Sequence, residues 1–252
     1  MLRKLLMLVC VVAYPLGAAA AWFGAEFSAD VVQYNPQTRQ WQVVGKIAVG
    51  KDKMRLDNLQ QKQWMLIDGK RHVTYMVMPQ QRAYMEMPGV QAVPMLAAVP
   101  LPNDPESPCA QGKMTCKKVG EEEIGGIKVE KWEFVTKQGG RTQRSYQWID
   151  PQRGMAIKQE FPGFELERRY LGKAKVRGRQ VEKWAITVRQ RGRTEKGIEY
   201  IDPELKVVLR REHGGQVTEL RNIKVGPQPK SLFTIPAGYH KQAPPRGMGY
   251  GR

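Results

Sequence analysis

Between residues 27 and 87 apolar and polar positions alternate in short runs punctuated by turn residues. Residues 27–34 lead to Asn35-Pro36, residues 41–49 lead to Gly50-Lys51-Asp52, and then Met54 and Leu56 alternate with Lys53, Arg55 and Asp57. That two-residue period belongs to a strand buried on one side. Further runs at 63–67, 72–78 and 82–87 are separated by Asp68-Gly69 and Pro79-Gln80. Regular short strands joined by such turns predict an antiparallel sheet or barrel, and a mostly β protein.

Residues 88–120 break the pattern. Pro88, Pro94, Pro100, Pro102, Pro105 and Pro108 fall here together with Cys109 and Cys116, and the one apolar run is 93–99. Such a segment holds a helical turn or two at most, with Pro94 tolerated near its start. A loop of this length is either a lid or binding loop, or a plain linker between two halves of a sheet.

The most specific feature is an internal repeat. Residues 126–160 align without a gap onto 178–212, at an offset of 52 (178 − 126). Val129-Glu130-Lys131-Trp132 matches Val181-Glu182-Lys183-Trp184, Ile149-Asp150-Pro151 matches Ile201-Asp202-Pro203, and Glu160 matches Glu212. Each copy reads as three strands, with a Gly-Arg-Thr turn after the first and an Asp-Pro turn after the second. Two copies do not make a solenoid, so they fit as successive meanders of one curled sheet. Along them Trp132, Phe134, Trp184, Ile186 and Val188 point one way, while Lys131, Lys183 and Arg189 point the other. One face is therefore apolar and the other cationic.

At the N-terminus Arg3-Lys4, an apolar stretch at 5–12 and Ala18 to Ala21 have the layout of a cleaved secretory signal peptide, residues 1–21. The apolar stretch is far short of the roughly 20 residues needed to span a bilayer. Its removal lowers the formal charge from +17 to +15 (17 − 2) and places the mature chain in an envelope compartment, the periplasm. A polycation there favours an anionic lipid or lipopolysaccharide surface over nucleic acid, unless the cations merely solvate a sheet face. Without Cys10, only Cys109 and Cys116 remain, which in an oxidising compartment points to a disulfide worth about 2.5 kcal/mol in the chain-entropy model. The ending 241–252, basic and rich in Pro and Gly, reads as a disordered tail.

Catalytic parts are scarce. The serines lie outside any Gly-x-Ser-x-Gly elbow, the three histidines His72, His213 and His240 are scattered, and no P-loop, His-Glu-x-x-His or dinucleotide fingerprint occurs. The expectation is a protein that is not an enzyme, with no cofactor and no metal site. Met76, Met78, Met85 and Met87 form Met-x-Met pairs that soft Cu(I) favours, but Met is equally core filler or the lining of an acyl-chain site.

Residues 27–33, Gly45 to Val49, Lys53-Met54-Arg55-Leu56-Asp57, Ile67-Asp68-Gly69, Tyr84-Met85-Glu86 and the ending Leu232-Phe233-Thr234-Ile235-Pro236 follow one another in an order that resembles the LolA/LolB-like superfamily of periplasmic lipoprotein carriers. The resemblance covers both ends of a domain spanning residues 22–240. It implies an open, strongly curved antiparallel sheet, a half-barrel with a few short helices as a lid, and a concave apolar face that shelters a lipidic or acylated ligand. Met54, Leu56, Tyr75, Val77, Trp132, Phe134, Trp184, Ile186 and Val188 are the expected lining. The repeat and the cysteine-bearing insert lie outside the superfamily pattern. A second expectation on the same fold is an envelope-stress sensor or interaction module similar to RseB-type regulators, whose partner would be an envelope protein.

Overall fold

The computed structural model describes residues 24–89, 95, 97, 101–104, 107–112, 114–138 and 141–243. The proposed signal peptide lies outside them. The described residues form sixteen strands in a single sheet that is not closed into a barrel. In chain order the N-terminal half contains β1 (Phe27–Asn35), β2 (Gln40–Val49), β3 (Lys53–Asn58), β4 (Gln63–Asp68), β5 (Val73–Met78) and β6 (Ala83–Pro88). The C-terminal half contains β7 (Thr115–Ile124), β8 (Ile127–Gln138), β9 (Arg141–Asp150), β10 (Met155–Phe161), β11 (Phe164–Val176), β12 (Arg179–Gln190), β13 (Arg193–Asp202), β14 (Val207–His213) and β15 (Gln216–Val225), with β16 (His240–Gln242) at the end. Helical structure among them is confined to two short 3-10 turns, Pro79–Gln81 and Lys230–Phe233, neither of which lies in the insert.

Two turn chemistries drive the meander. In five hairpins a short polar side chain closes the loop by accepting from backbone amides: Asn35 from Gln37 and Thr38, Asn58 from Gln60 and Gln61, Asp68 from Arg71, Asp150 from Gln152 and Arg153, and Asp202 from Glu204 and Leu205. Asx side chains stabilise turns by this mimicry of backbone pairing. Tight two-residue links serve elsewhere, as at Arg177-Gly178, where φ is 51° and 81°. Both central residues of a type I′ turn need positive φ, which glycine adopts at least cost and which matches strand twist.

The first described strand lies in the middle of the sheet. β1 pairs with β2 on one side and β15 on the other, so the N-terminal half steps outward to β6 and the C-terminal half steps inward from β7. The insert joins these two outer strands. It reaches only to residue 114, because β7 begins at Thr115 and not after 120. The proposed tail also starts later than expected: Lys241 and Gln242 pair in parallel with Tyr84 and Met85, extending the sheet beyond β6. Pairing there hides the exposed backbone groups of an edge strand.

The three strands read in each repeat copy are β8–β10 and β12–β14, and each begins and ends 52 positions after its counterpart, as at Ile127 and Arg179. The match also extends upstream. β7 and the later part of β11 both carry a register shift, between Lys118 and Gly120 and between Tyr170 and Gly172. The repeating unit is thus a four-stranded bulged meander, one strand longer than the sequence match at 126–160. A bulge adds one residue to one strand and bends it.

Candidate functional site

Register assigns every strand side chain to one of two faces. Met54 lies opposite Val49 and Ile67, and Leu56 opposite Ile47 and Met65. The same face runs through Gly45, Val31 and Leu220 across the centre of the sheet. Beyond them it passes through Thr218, Arg211 and Glu199 to Trp184 and Tyr170. Ile186 and Val188 follow Trp184 along β12, and Trp132 and Phe134 occupy the equivalent places on β8. Seven of the nine expected lining residues therefore share one face.

Tyr75 and Val77 do not. They stand opposite Leu66 and Trp64, in line with Arg55, on the other side of the sheet. β5 reads Val-Thr-Tyr-Met-Val-Met and is apolar on both sides, so its period names no face. The reverse side there is covered by the chain's own ending: Phe233, Ile235 and Tyr239 pack against Trp64, Leu66, Tyr75 and Val77.

The shared face is packed. Met54 and Trp184 have no exposure, and they belong to one cluster with Phe27, Ile47, Ile157, Leu209 and Leu220. Two insert residues, Met95 and Ala97, lie in the same cluster, and the Val208 amide donates to the Met95 carbonyl at 2.9 Å. Beside Ala97 is an opening of about 110 Å³ lined by Arg153, Met155, Glu182 and Ile201. A cleft of about 610 Å³ opens instead on the reverse face, where Ser28, Asp30, Lys46, Asp57 and Leu232 line it. Its lining is mixed: Ile223 and Leu232 stand beside Asp30, which accepts from Asn222, and Asp57, which pairs with Arg55.

The reverse face carries cations in a repeated arrangement. Lys131 and Lys158 lie 4.6 Å from the ring centre of Trp148, and the residues 52 positions on, Lys183 and Arg210, lie 5.7 and 5.9 Å from that of Tyr200. Cations over aromatic faces are attracted by the ring quadrupole. Cys109 and Cys116 form a disulfide, which ties the end of the insert to β7.

Neither a protein family model nor a curated protein matches the chain. Solved structures do. The chain is similar in structure to proteins of the LolA superfamily. One such protein, from Nitrosomonas europaea, shares 15% identity over 84% of this chain and 90% of that one, with a TM-score of 0.39. A DUF1329 family protein from Desulfovibrio piger shares 13% over 83% and 90%, with a TM-score of 0.42. A putative outer membrane lipoprotein-sorting protein domain from Vibrio parahaemolyticus shares 10% over 83% and 89%, with a TM-score of 0.38.

Sequence reasoning missed one cluster on the apolar face. Glu199 is wholly buried between Arg168, whose Nε donates to it at 2.9 Å, and Arg211, whose Nε donates at 3.0 Å. Arg168 also donates through Nη1 to the Ala156 carbonyl at 2.8 Å. Burial pushes the Glu199 carboxyl up, but the two guanidinium groups outweigh it and hold the group below its ordinary value. Only the register reveals it: Arg168 lies opposite Ile186, and Glu199 opposite Trp184.

Proposed function

We propose that this is a periplasmic, non-enzymatic binding or carrier protein whose sheet curves into a half-barrel around a lipidic or acylated ligand, held against the Met54–Trp184 face. The observation that carries the reading is the place of Met95 and Ala97. These two side chains from outside the sheet are bedded in the apolar face, and one backbone bond at Val208 is the hydrogen bond that fixes Met95 there. Acyl methylenes would take the same positions. Each buried methylene contributes about 0.8 kcal/mol, so a chain of ordinary length gains affinity without directional chemistry. The cationic reverse face, with Lys131, Lys158 and Lys183, would dock on anionic envelope lipid or lipopolysaccharide.

Native mass spectrometry and solvent extraction of the full chain purified from the envelope test this. The expected result is a co-purifying amphiphile, or stoichiometric uptake of an acylated probe. A protein that emerges without lipid, takes up no acylated probe and carries a stoichiometric protein partner would overturn it in favour of a sensor or interaction module.

A further inference from the structure

We infer that Arg168, Glu199 and Arg211 form an anion-recognition site on the apolar face, which takes the single anionic head group, a carboxylate or phosphomonoester, of an amphiphile whose chain lies along that face. The inference rests on the carrier reading above and adds the head-group chemistry to it.

The first argument is charge. Two arginines and one glutamate leave an excess of one positive charge, opposite Ile186 and Trp184 on a face that also carries the Arg153–Glu182 ion pair. Burying ions is costly, and a buried ion pair replaced by apolar residues is often neutral or even stabilising, so the cluster is poor value as fold stabilisation alone. A bound monoanion would bring its charge to zero.

The second argument comes from the internal repeat, which supplies a control within the same chain. The positions 52 residues earlier are Cys116, Gln147 and Gln159, none of them charged. They occupy equivalent rungs of an equivalent meander, with Phe134 in place of Ile186. The four-stranded unit therefore builds without charges at these three rungs, and the triad is peculiar to the second copy.

The third argument is donor geometry. Glu199 engages Nε of Arg168 on one oxygen, and Nε and Nη2 of Arg211 on the other. Nη2 of Arg168 and Nη1 of Arg211 make no hydrogen bond among the described residues. Glu199 is fully buried while the Arg211 side chain keeps 22% of its exposure, so a ligand meets the arginine and not the carboxylate. Guanidinium groups with spare N–H donors recognise carboxylate and phosphate oxygens well.

The test is equilibrium binding to the full chain at pH 7.5, with dodecanoate and dodecyl phosphate against the uncharged methyl dodecanoate. The native protein should bind either anion at least tenfold more tightly than the ester. Arg211→Gln, which installs the residue found at position 159, should reduce that preference to about twofold or less while ester affinity stays unchanged. A second variant, Arg168→Met with Glu199→Gln and Arg211→Gln, removes all three charges together and leaves no ion uncompensated, so a folding defect in the single variant does not cloud the result. Equal binding of anions and ester by the native protein, or an undiminished preference in the triple variant, overturns the anion site and leaves the carrier reading intact. Failure to bind any of the three probes overturns both.

Discussion

The Arg55 guanidinium lies over the Trp64 indole, its central carbon 4.0 Å from the ring centre, and its Nη1 donates to the Leu232 carbonyl at 3.3 Å. One side chain thus joins β3, β4 and the chain's ending on the reverse face. The same guanidinium donates through Nε and Nη2 to Asp57, at 3.0 and 2.7 Å. Arg55→Met keeps the aliphatic stem and removes the charge. It should lower stability by about 1–2 kcal/mol, and hydrogen exchange should speed up selectively at residues 230–242. Uniform protection across those residues in the variant would show that the apolar contacts of Phe233 and Ile235 hold the segment unaided.

Asp150 and Asp202 perform the same task 52 residues apart, and both are almost completely buried. One Asp202 oxygen accepts from the Glu204 and Leu205 amides, and the other receives Arg179. Asp202→Ala strands two amides and takes from Arg179 one of its two carboxylate partners, leaving Glu204, and should cost about 2–3 kcal/mol in urea unfolding. Asp202→Asn retains the amide acceptor and should cost about half as much. Equal losses for the two variants would assign the effect to the ion pair rather than to the turn.

Much of this architecture was legible because hairpin chemistry is local. Asp150-Pro151 and Asp202-Pro203 announce turns wherever they fall, and the repeat supplied strand order for β8–β10 and β12–β14 together. The first strand of each unit escaped notice because β7 and β11 share little beyond Gly120 with Gly172 and Ile124 with Val176. Tyr75 and Val77 fall on the reverse face for a tertiary reason: Phe233, 158 positions on (233 − 75), and Ile235 come back to cover that side of β5, so both of its faces are apolar. The Arg168–Glu199–Arg211 cluster was illegible because charged residues on a strand look like a solvated face until register shows them beside Trp184. Whether a face packs shut or holds a guest is likewise decided by non-local contacts.

The Cys109–Cys116 bridge closes a short ring at the end of the insert, with a sequence separation of 7. Removing it with paired serine substitutions should lower stability by no more than about 2.5 kcal/mol. The loss should be local, since the bridge constrains a loop that leads into β7 and does not cross the sheet. Limited proteolysis should then cut first between residues 104 and 114. A collapse of the whole urea transition instead would place the bridge among the principal supports of the fold.

Acid sensitivity follows from two buried carboxyls. Burial raises the affinity of Glu199 and Glu219 for a proton, but Arg168 and Arg211 around the first and Arg177 and Arg221 around the second reverse the effect and hold both below the ordinary value of 4.5. A carboxyl with a depressed native pKa contributes stability that is complete above its unfolded value and disappears as pH falls through the native one. Urea midpoints should therefore stay level from pH 7 to about 5.5 as far as these two groups are concerned, and drop steeply below about 4.5. Glu199→Gln should be less stable at pH 7, because two guanidinium groups lose their counter-charge and one of the two acceptor oxygens becomes a donor amide, and should show a shallower decline on acidification. An equally steep decline in that variant would locate the acid transition at Glu219 and its three arginines, Arg177, Arg210 and Arg221, rather than at the cluster beside Trp184.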